Sequence, residues 1–344
     1  FNMKYNKLFK TIEEKINVFN EKLYLEIDSY LSIQGVEKFF LQEIIKSKDI
    51  LKWTIFLDSK KYFKAPMLKE IEKIKQNRLS ERWFLLCKIL ETSAKNISDH
   101  TDKNIKRKVI TIIEKVITFY KKDIFQKISI RPFMFSNILF NLPEKNIKSE
   151  HLLIIKDILS IDNLLISSNI NEFIPKVSHS KKLSSCMLDI LLSYKIEERD
   201  FIDTKIIELV SMVDKNYIKK ILNDYSNKFY ELLGVNAFKI ASRKLNTIIR
   251  NNKNLFNMIG IRTIEDNPQS QFTDKYEYQL IHFIRNVLLL IEKQKIKQVM
   301  EYLFWRKHPI YKRLALNTIR YRYNELKEYF WNWVKSSNNI LEQI

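Results

Sequence analysis

Between Leu232 and Ile264 the chain has no Asp or Glu, yet it carries Lys239, Arg243, Lys244, Arg250, Lys253 and Arg262. On a helical wheel Lys239, Arg243, Arg250 and Lys253 fall within roughly 80° of one another, while Phe238, Leu245, Ile248 and Ile249 take the opposite arc. A helix of that pattern presents a purely cationic outer face. Such a face suits phosphates or an acidic partner, and it equally suits plain solvation in a Lys-rich protein. The run from Trp305 to Trp333, "WRKHPIYKRLALNTIRYRYNELKEYFWNW", is the second basic and aromatic stretch. Its Pro309 sets the first turn of a helix whose Ile310, Leu314, Leu316, Ile319 and Tyr321 form two opposed apolar arcs. Arg313, Asn317 and Arg320 remain as a narrow polar stripe. A major-groove recognition helix is polar over about half its girth, so this one reads as a helix packed on two sides, its arginines lying along a seam.

Reactive constellations are missing at the level of motif. The histidines stand at 100, 151, 179, 282 and 308, isolated from one another, with neither an H-E-x-x-H pair nor an Arg four to six residues ahead of any of them, as all-helical ribonucleases require. Adjacent carboxylates, Glu13 and Glu14, Glu197 and Glu198, Glu265 and Asp266, read as solvated surface. No phosphate-binding G-x-x-x-x-G-K-[ST] loop occurs, and with 3 glycines in the chain none can be assembled. Cys87 and Cys186 show neither metal-ligand spacing nor a disulfide framework, which fits a reducing cytoplasm. No cofactor is expected.

The elements that must position these residues are helical. In 344 residues there are only 3 Gly and 6 Pro against 45% hydrophobic residues, too little turn chemistry for many short strands. Apolar residues recur at i, i+3, i+4, i+7 in runs of roughly 12 to 20 residues separated by short polar breaks. Leu8, Ile12, Ile16 and Phe19 make the first such stripe; Pro66 opens another helix, Ser80 is a candidate N-cap, and Gly234 is a helix stop. The abundant Ile recurs at helical spacing and is taken as compositional, so no strand is expected, including in "DFIDTKIIELVSMV". The tryptophans, at 53, 83, 305, 331 and 333, occupy helical apolar positions and read as core.

Paired helices of this length without a strict period resemble HEAT or armadillo repeats, which makes the expected fold an all-α solenoid of antiparallel helix pairs. Residues 1–259 form one helical-repeat array on this reading, 260–273 ("GIRTIEDNPQSQFT") a loop, and 274–344 further helical repeats that continue the array. The start "FNMKYNKLFK" has no signal-type apolar core, no apolar run is long enough to span a membrane, and the chain reads as part of a longer soluble polypeptide. The net charge of +20 calls for an anionic partner, although richness in Lys, Ile and Asn together, as in "NNKNLFNMIGI", is also what an AT-rich coding sequence yields without selection for binding.

The run "YFKAP" at Tyr62 to Pro66, the Trp-containing helix "RWFLLCKILETSAKN" and "HPIYKRLALNTI" at His308 to Ile319 resemble the helical-repeat region of large bacterial anti-phage proteins of the STAND NTPase type and their relatives. The resemblance implies a non-catalytic scaffold or sensor segment that binds protein partners or other domains of the same polypeptide, with any NTPase or effector domain outside this sequence. A sequence-nonspecific nucleic-acid-binding helical repeat is the alternative, and a HEAT-like DNA glycosylase a third. Lys239, Arg243, Arg250, Lys253, Arg313 and Arg320 are the candidate anion-binding residues.

Overall fold

Local sequence punctuation determines where the helices begin and end. The computed structural model describes residues 3–64, 76–120, 132–161, 163–201, 204–251 and 275–336. The chain divides into two compact units, Phe1–Asp162 and Asn163–Ile344. Among the described residues there are sixteen α-helices and one two-stranded sheet. The all-α expectation therefore holds for the bulk of the chain. The expected helix starting at Pro66, the loop at 260–273 and Lys253 lie outside the described residues.

The first unit contains α1 (Met3–Lys15), α2 (Glu21–Ile27), α3 (Gln34–Lys46), α4 (Ile50–Ser59), α5 (Gln76–Asn96), α6 (Lys103–Tyr120), α7 (Phe133–Phe140) and α8 (Ser149–Ile161). Helices two apart in this order pack on each other: α1 on α3, α3 on α5, α5 on α7, and α4 on α6. Leu8, Ile12, Ile16 and Phe19 were expected on one stripe; Ile12 and Ile16 are buried, Leu8 and Phe19 half-buried. Ser80 lies inside α5 rather than at its start, so it is no N-cap. The core is aromatic. Trp53, fully buried, meets Phe19 and Phe40 with ring centroids 5.0 and 5.7 Å apart, and Tyr24 meets Phe56 at 4.9 Å. The Trp53 indole N–H and the Ser47 hydroxyl both donate to the Ile16 carbonyl, at 3.0 and 2.8 Å, so the end of the first helix is tied down by buried donors.

The second unit contains α9 (Asn163–Val177), α10 (Lys181–Leu191), β1 (Tyr194–Phe201), β2 (Thr204–Ser211), α11 (Lys215–Leu233), α12 (Val235–Asn251), α13 (Tyr276–Leu290), α14 (Lys293–Trp305), α15 (Pro309–Tyr321) and α16 (Tyr323–Ser336). Alternate helices again pack together: α9 on α11, α11 on α13, α13 on α15, α10 on α12 and α14 on α16. Gly234 stops α11 with φ 56 and lets α12 begin at the next residue, as its position in the sequence suggested. Pro309 does open α15, and the His308 ring caps it by accepting from the Ile310 N–H at 3.3 Å.

The hairpin β1–β2 contradicts the helical reading of "DFIDTKIIELVSMV". Its strands pair antiparallel from Tyr194 opposite Ser211 to Phe201 opposite Thr204. Leu209 buries its side chain, and β2 packs on α13, whose Tyr276 hydroxyl donates to the Leu192 carbonyl at 2.7 Å just before β1. Glu197 faces Glu208 across the pair, a repulsive placement that Lys195 relieves by meeting Glu197 at 2.7 Å two residues along the strand. Tertiary cover and eight residues of ladder override a pattern that local periodicity read as helix. Two tryptophans also depart from expectation: Trp53, Trp83 and Trp333 are buried, but Trp305 is 86% exposed and Trp331 50%.

Candidate functional site

α10, α12 and α14 meet around an open cleft of about 1130 Å³ within the second unit. Each wall contributes cations: Lys181 and Lys182 from the first turn of α10, Lys239 and Arg243 from α12, and Lys295 and Arg306 from α14 and its C-cap. Among the described residues no Asp or Glu lines it. Lys295 is held by Glu292 at 2.8 Å, and that hydrogen bond, ahead of the charge attraction, raises its pKa. Lys181, Lys182, Lys239 and Arg243 are exposed, and among the described residues none of them forms an ion pair. Lys244, one residue beyond Arg243, shows the contrast: it points away and meets Asp189 at 2.9 Å. Like charges gathered without counter-charge raise the local potential, which attracts anions and costs folding free energy unless one is bound.

The polar wall opposite α10 is pre-organised. The Tyr311 hydroxyl donates to Asn246 Oδ1 at 2.7 Å, the Asn246 amide donates to the Tyr302 oxygen at 2.9 Å, and Arg306 donates to the same oxygen at 2.9 Å. Burial pushes the Tyr311 phenol up, so it stays protonated and remains the donor of that chain. The Arg306 guanidinium lies over the Tyr302 ring, 4.4 Å from its centroid, and Tyr302 meets Phe238 edge-on at 5.8 Å. This cation is therefore fixed in orientation by both a hydrogen bond and a stack. Between Lys239 and Arg243 on α12 sits Ser242, 3% exposed and lining the cleft, whose hydroxyl has no hydrogen-bond partner among the described residues. A buried hydroxyl left without a partner costs free energy that a bound acceptor would recover.

Of the six candidate residues, the structure brings two together, Lys239 and Arg243, on the cleft wall. Arg250 is exposed on the last turn of α12 and does not line the cleft; Lys253 is outside the described residues. Arg313 and Arg320 lie on α15, away from the cleft lining. Their stripe is broken, since Asn317 is buried between them and the Arg320 guanidinium sits 5.8 Å from the centre of the Tyr321 ring. Tyr321 is exposed and Leu316 only half-buried, so the second apolar arc is less covered than the wheel implied. Sequence reasoning missed Lys181, Lys182, Ser242, Lys295 and Arg306. The one local signal was Ser180 before Lys181–Lys182, where its hydroxyl accepts from the Leu183 N–H and opens α10 toward the cleft.

The other titratable groups hold structural posts. His151 Nδ1 accepts from the Lys148 N–H at 3.2 Å, and burial keeps its pKa low; burial and the nearby Arg313 do the same for His308. Glu13 and Glu14 are exposed, Glu197 and Glu198 lie on β1, and Glu265 and Asp266 are outside the described residues. Among the described residues no three His, Cys, Asp or Glu side chains gather where they could hold a metal ion, and no helix is long and apolar enough to cross a membrane. Among the described residues the chain is thus predominantly helical, with a cleft in its second unit lined by six cations. A scan of protein families, a search of curated proteins and a search of solved structures each find no match to the chain.

Proposed function

We propose that this chain is a non-catalytic binding scaffold, a HEAT-like solenoid of antiparallel helix pairs, and that its ligand is a polyanion held in the α10–α12–α14 cleft. The observation that carries the reading is six cations, on three helices and one helix cap, around one recess with no carboxylate among the described lining residues. Nucleic acid bound through its phosphates, without sequence preference, is the polyanion this chemistry fits best, because cations and a hydroxyl can contact phosphate oxygens but supply no base code. The packing of several helix pairs two apart in the described order, in both units, supports the solenoid. Both cysteines are free, which supports a cytoplasmic setting.

The biological setting that goes with this reading is the one the sequence resemblance implies, the scaffold or sensor segment of a bacterial anti-phage protein. An acidic segment of a protein partner, or of another domain of the same polypeptide, would compete for the same cleft. The test is a filter-binding titration of an oligonucleotide at low and physiological salt, beside a folded protein of equal net charge. Affinity should exceed the control's at both salts and fall linearly on a log–log plot, by about 0.7 to 0.9 in slope per phosphate contact. Binding no tighter than the control's overturns the reading.

A further inference from the structure

The cleft charges are recessed, and that bears on the form of nucleic acid it takes. A cleft of about 1130 Å³ is close to the size that encloses one small ligand, roughly 300 to 1000 Å³. A duplex carries its phosphates on the outside of a stiff rod and is met by protruding elements or broad saddles, not by a recess of this volume. A single strand is flexible enough to enter, and its unpaired bases need apolar planes to lie on.

Such a plane is carried by α14 next in sequence to a lining residue, although it is not itself part of the lining. α14 lines the cleft with Val299 and Tyr302, and Arg306 lines it just past the helix end. Between those last two comes Trp305, 86% exposed and without a ring contact to any described residue. A bare indole in water is a cost to the free protein, and here it is set beside a guanidinium already stacked on Tyr302. The unpartnered Ser242 hydroxyl, flanked by Lys239 and Arg243, supplies on α12 a donor for a phosphate oxygen.

We infer that the cleft binds single-stranded nucleic acid, its phosphates on Lys182, Lys239, Ser242 and Arg243 and one base stacked on Trp305. This rests on the polyanion reading above and goes beyond it by naming the strand form and the stacking residue. Trp305 acts by contact with the ligand; Arg306 and Tyr302 position one another beside it.

Fluorescence anisotropy on the full chain tests it, using a labelled oligothymidylate of about 16 nucleotides, a duplex of the same length and a polyglutamate peptide. The single strand should bind at least about tenfold more tightly than the duplex. Trp305→Ala should lose about ten- to a hundredfold in single-strand affinity, as for one lost base stack, while Trp305→Phe retains most of it. Quenching of intrinsic tryptophan fluorescence on binding should shrink in Trp305→Phe. The ring is exposed, so neither substitution removes core packing. Equal or tighter duplex binding, or wild-type affinity in Trp305→Ala, overturns the single-strand inference and leaves the cleft reading standing. No oligonucleotide binding, or single-strand binding untouched by the double substitution Lys239→Glu and Arg243→Glu, overturns both, and polyglutamate bound as tightly as the oligonucleotide overturns the single-strand inference.

Discussion

In Phe1–Asp162, Lys15 meets Glu26 at 2.8 Å, Lys38 meets Glu81 at 3.0 Å, Lys115 meets Asp58 at 2.7 Å and Lys148 meets Glu114. In Asn163–Ile344, by contrast, Lys181, Lys182, Lys239 and Arg243 line one cleft with no carboxylate among the described residues of its walls. Both units draw on the same Lys-rich composition. A bias in coding composition adds lysines without regard to where they fall in space; it does not by itself keep Asp189 of α10 and Glu301 of α14 out of the described cleft lining while cations of three helices enter it. The difference teaches that a net charge of +20 is a poor guide to binding until the neighbours of each cation are known. Exposed ion pairs such as those of the first unit contribute only about 0 to 1 kcal/mol to stability, and they leave little field for a partner to sense.

The sharpest way to break this contrast is to remove equal charge from each unit. Replacing Lys182, Lys239 and Arg243 by Gln should cost about a hundredfold in oligonucleotide affinity at physiological salt, at roughly 1 kcal/mol per lost contact, and should flatten the log–log salt slope by about 2 to 3. Replacing Lys38, Lys115 and Lys148 by Gln changes net charge equally and should leave affinity within about twofold. Equal losses from the two triple variants would mean that net charge, not the cleft, does the binding.

Core substitutions come next and compare the two interiors. Trp53→Ala removes the centre of the aromatic cluster and the donor to Ile16, and should cost about 3 to 5 kcal/mol in chemical denaturation. Leu314→Ala in α15, whose side chain is fully buried, should cost about 2 to 5 kcal/mol. A loss below about 0.5 kcal/mol at Leu314 would mean that α15 is not sandwiched as its wheel and burial indicate.

How much of this was legible in the sequence follows from the range of the forces involved. Helix positions depend on the spacing of apolar residues within one or two turns, so α12 with its cationic arc, the stop at Gly234 and the start at Pro309 could be read directly. The hairpin could not, because its stability depends on cover from α13; the available hint was two Ile-bearing runs separated by only Ile202 and Asp203. One wall of the cleft was visible in Lys239 and Arg243. The other walls come from residues more than fifty positions away, Lys181, Lys182, Lys295 and Arg306, and no periodicity along one helix reports on another. Trp305 reads as core on a wheel because a wheel does not know that the helix ends there.

The smallest effect concerns pH and has no counterpart described in the first unit. Glu277 is buried in the first turn of α13 with one carboxylate oxygen unpartnered among the described residues. Burial, with Glu208 adding to it and Lys275 opposing, raises its pKa above the ordinary 4.5. The folded chain then holds a proton that the unfolded chain has released. This group's contribution is therefore full below about pH 4.5 and is lost as pH rises through the folded value. Glu277→Gln should abolish that decline, giving a urea midpoint that is higher than wild type at about pH 8 and close to it at about pH 4. A wild-type midpoint that rises between those two pH values while the variant stays flat would reverse the sign and overturn the assignment.

Gly234 carries one more consequence. A Cβ built there meets nothing within 4 Å, so bulk is no obstacle, while φ 56 is a value that L-residues rarely adopt. What the junction of α11 and α12 demands is handedness, not smallness: a D-amino acid would satisfy it where L-alanine would be strained. In a chain with only three glycines, one serves as the achiral joint between α11 and α12, setting the course by which α12 carries Lys239 and Arg243 to the cleft.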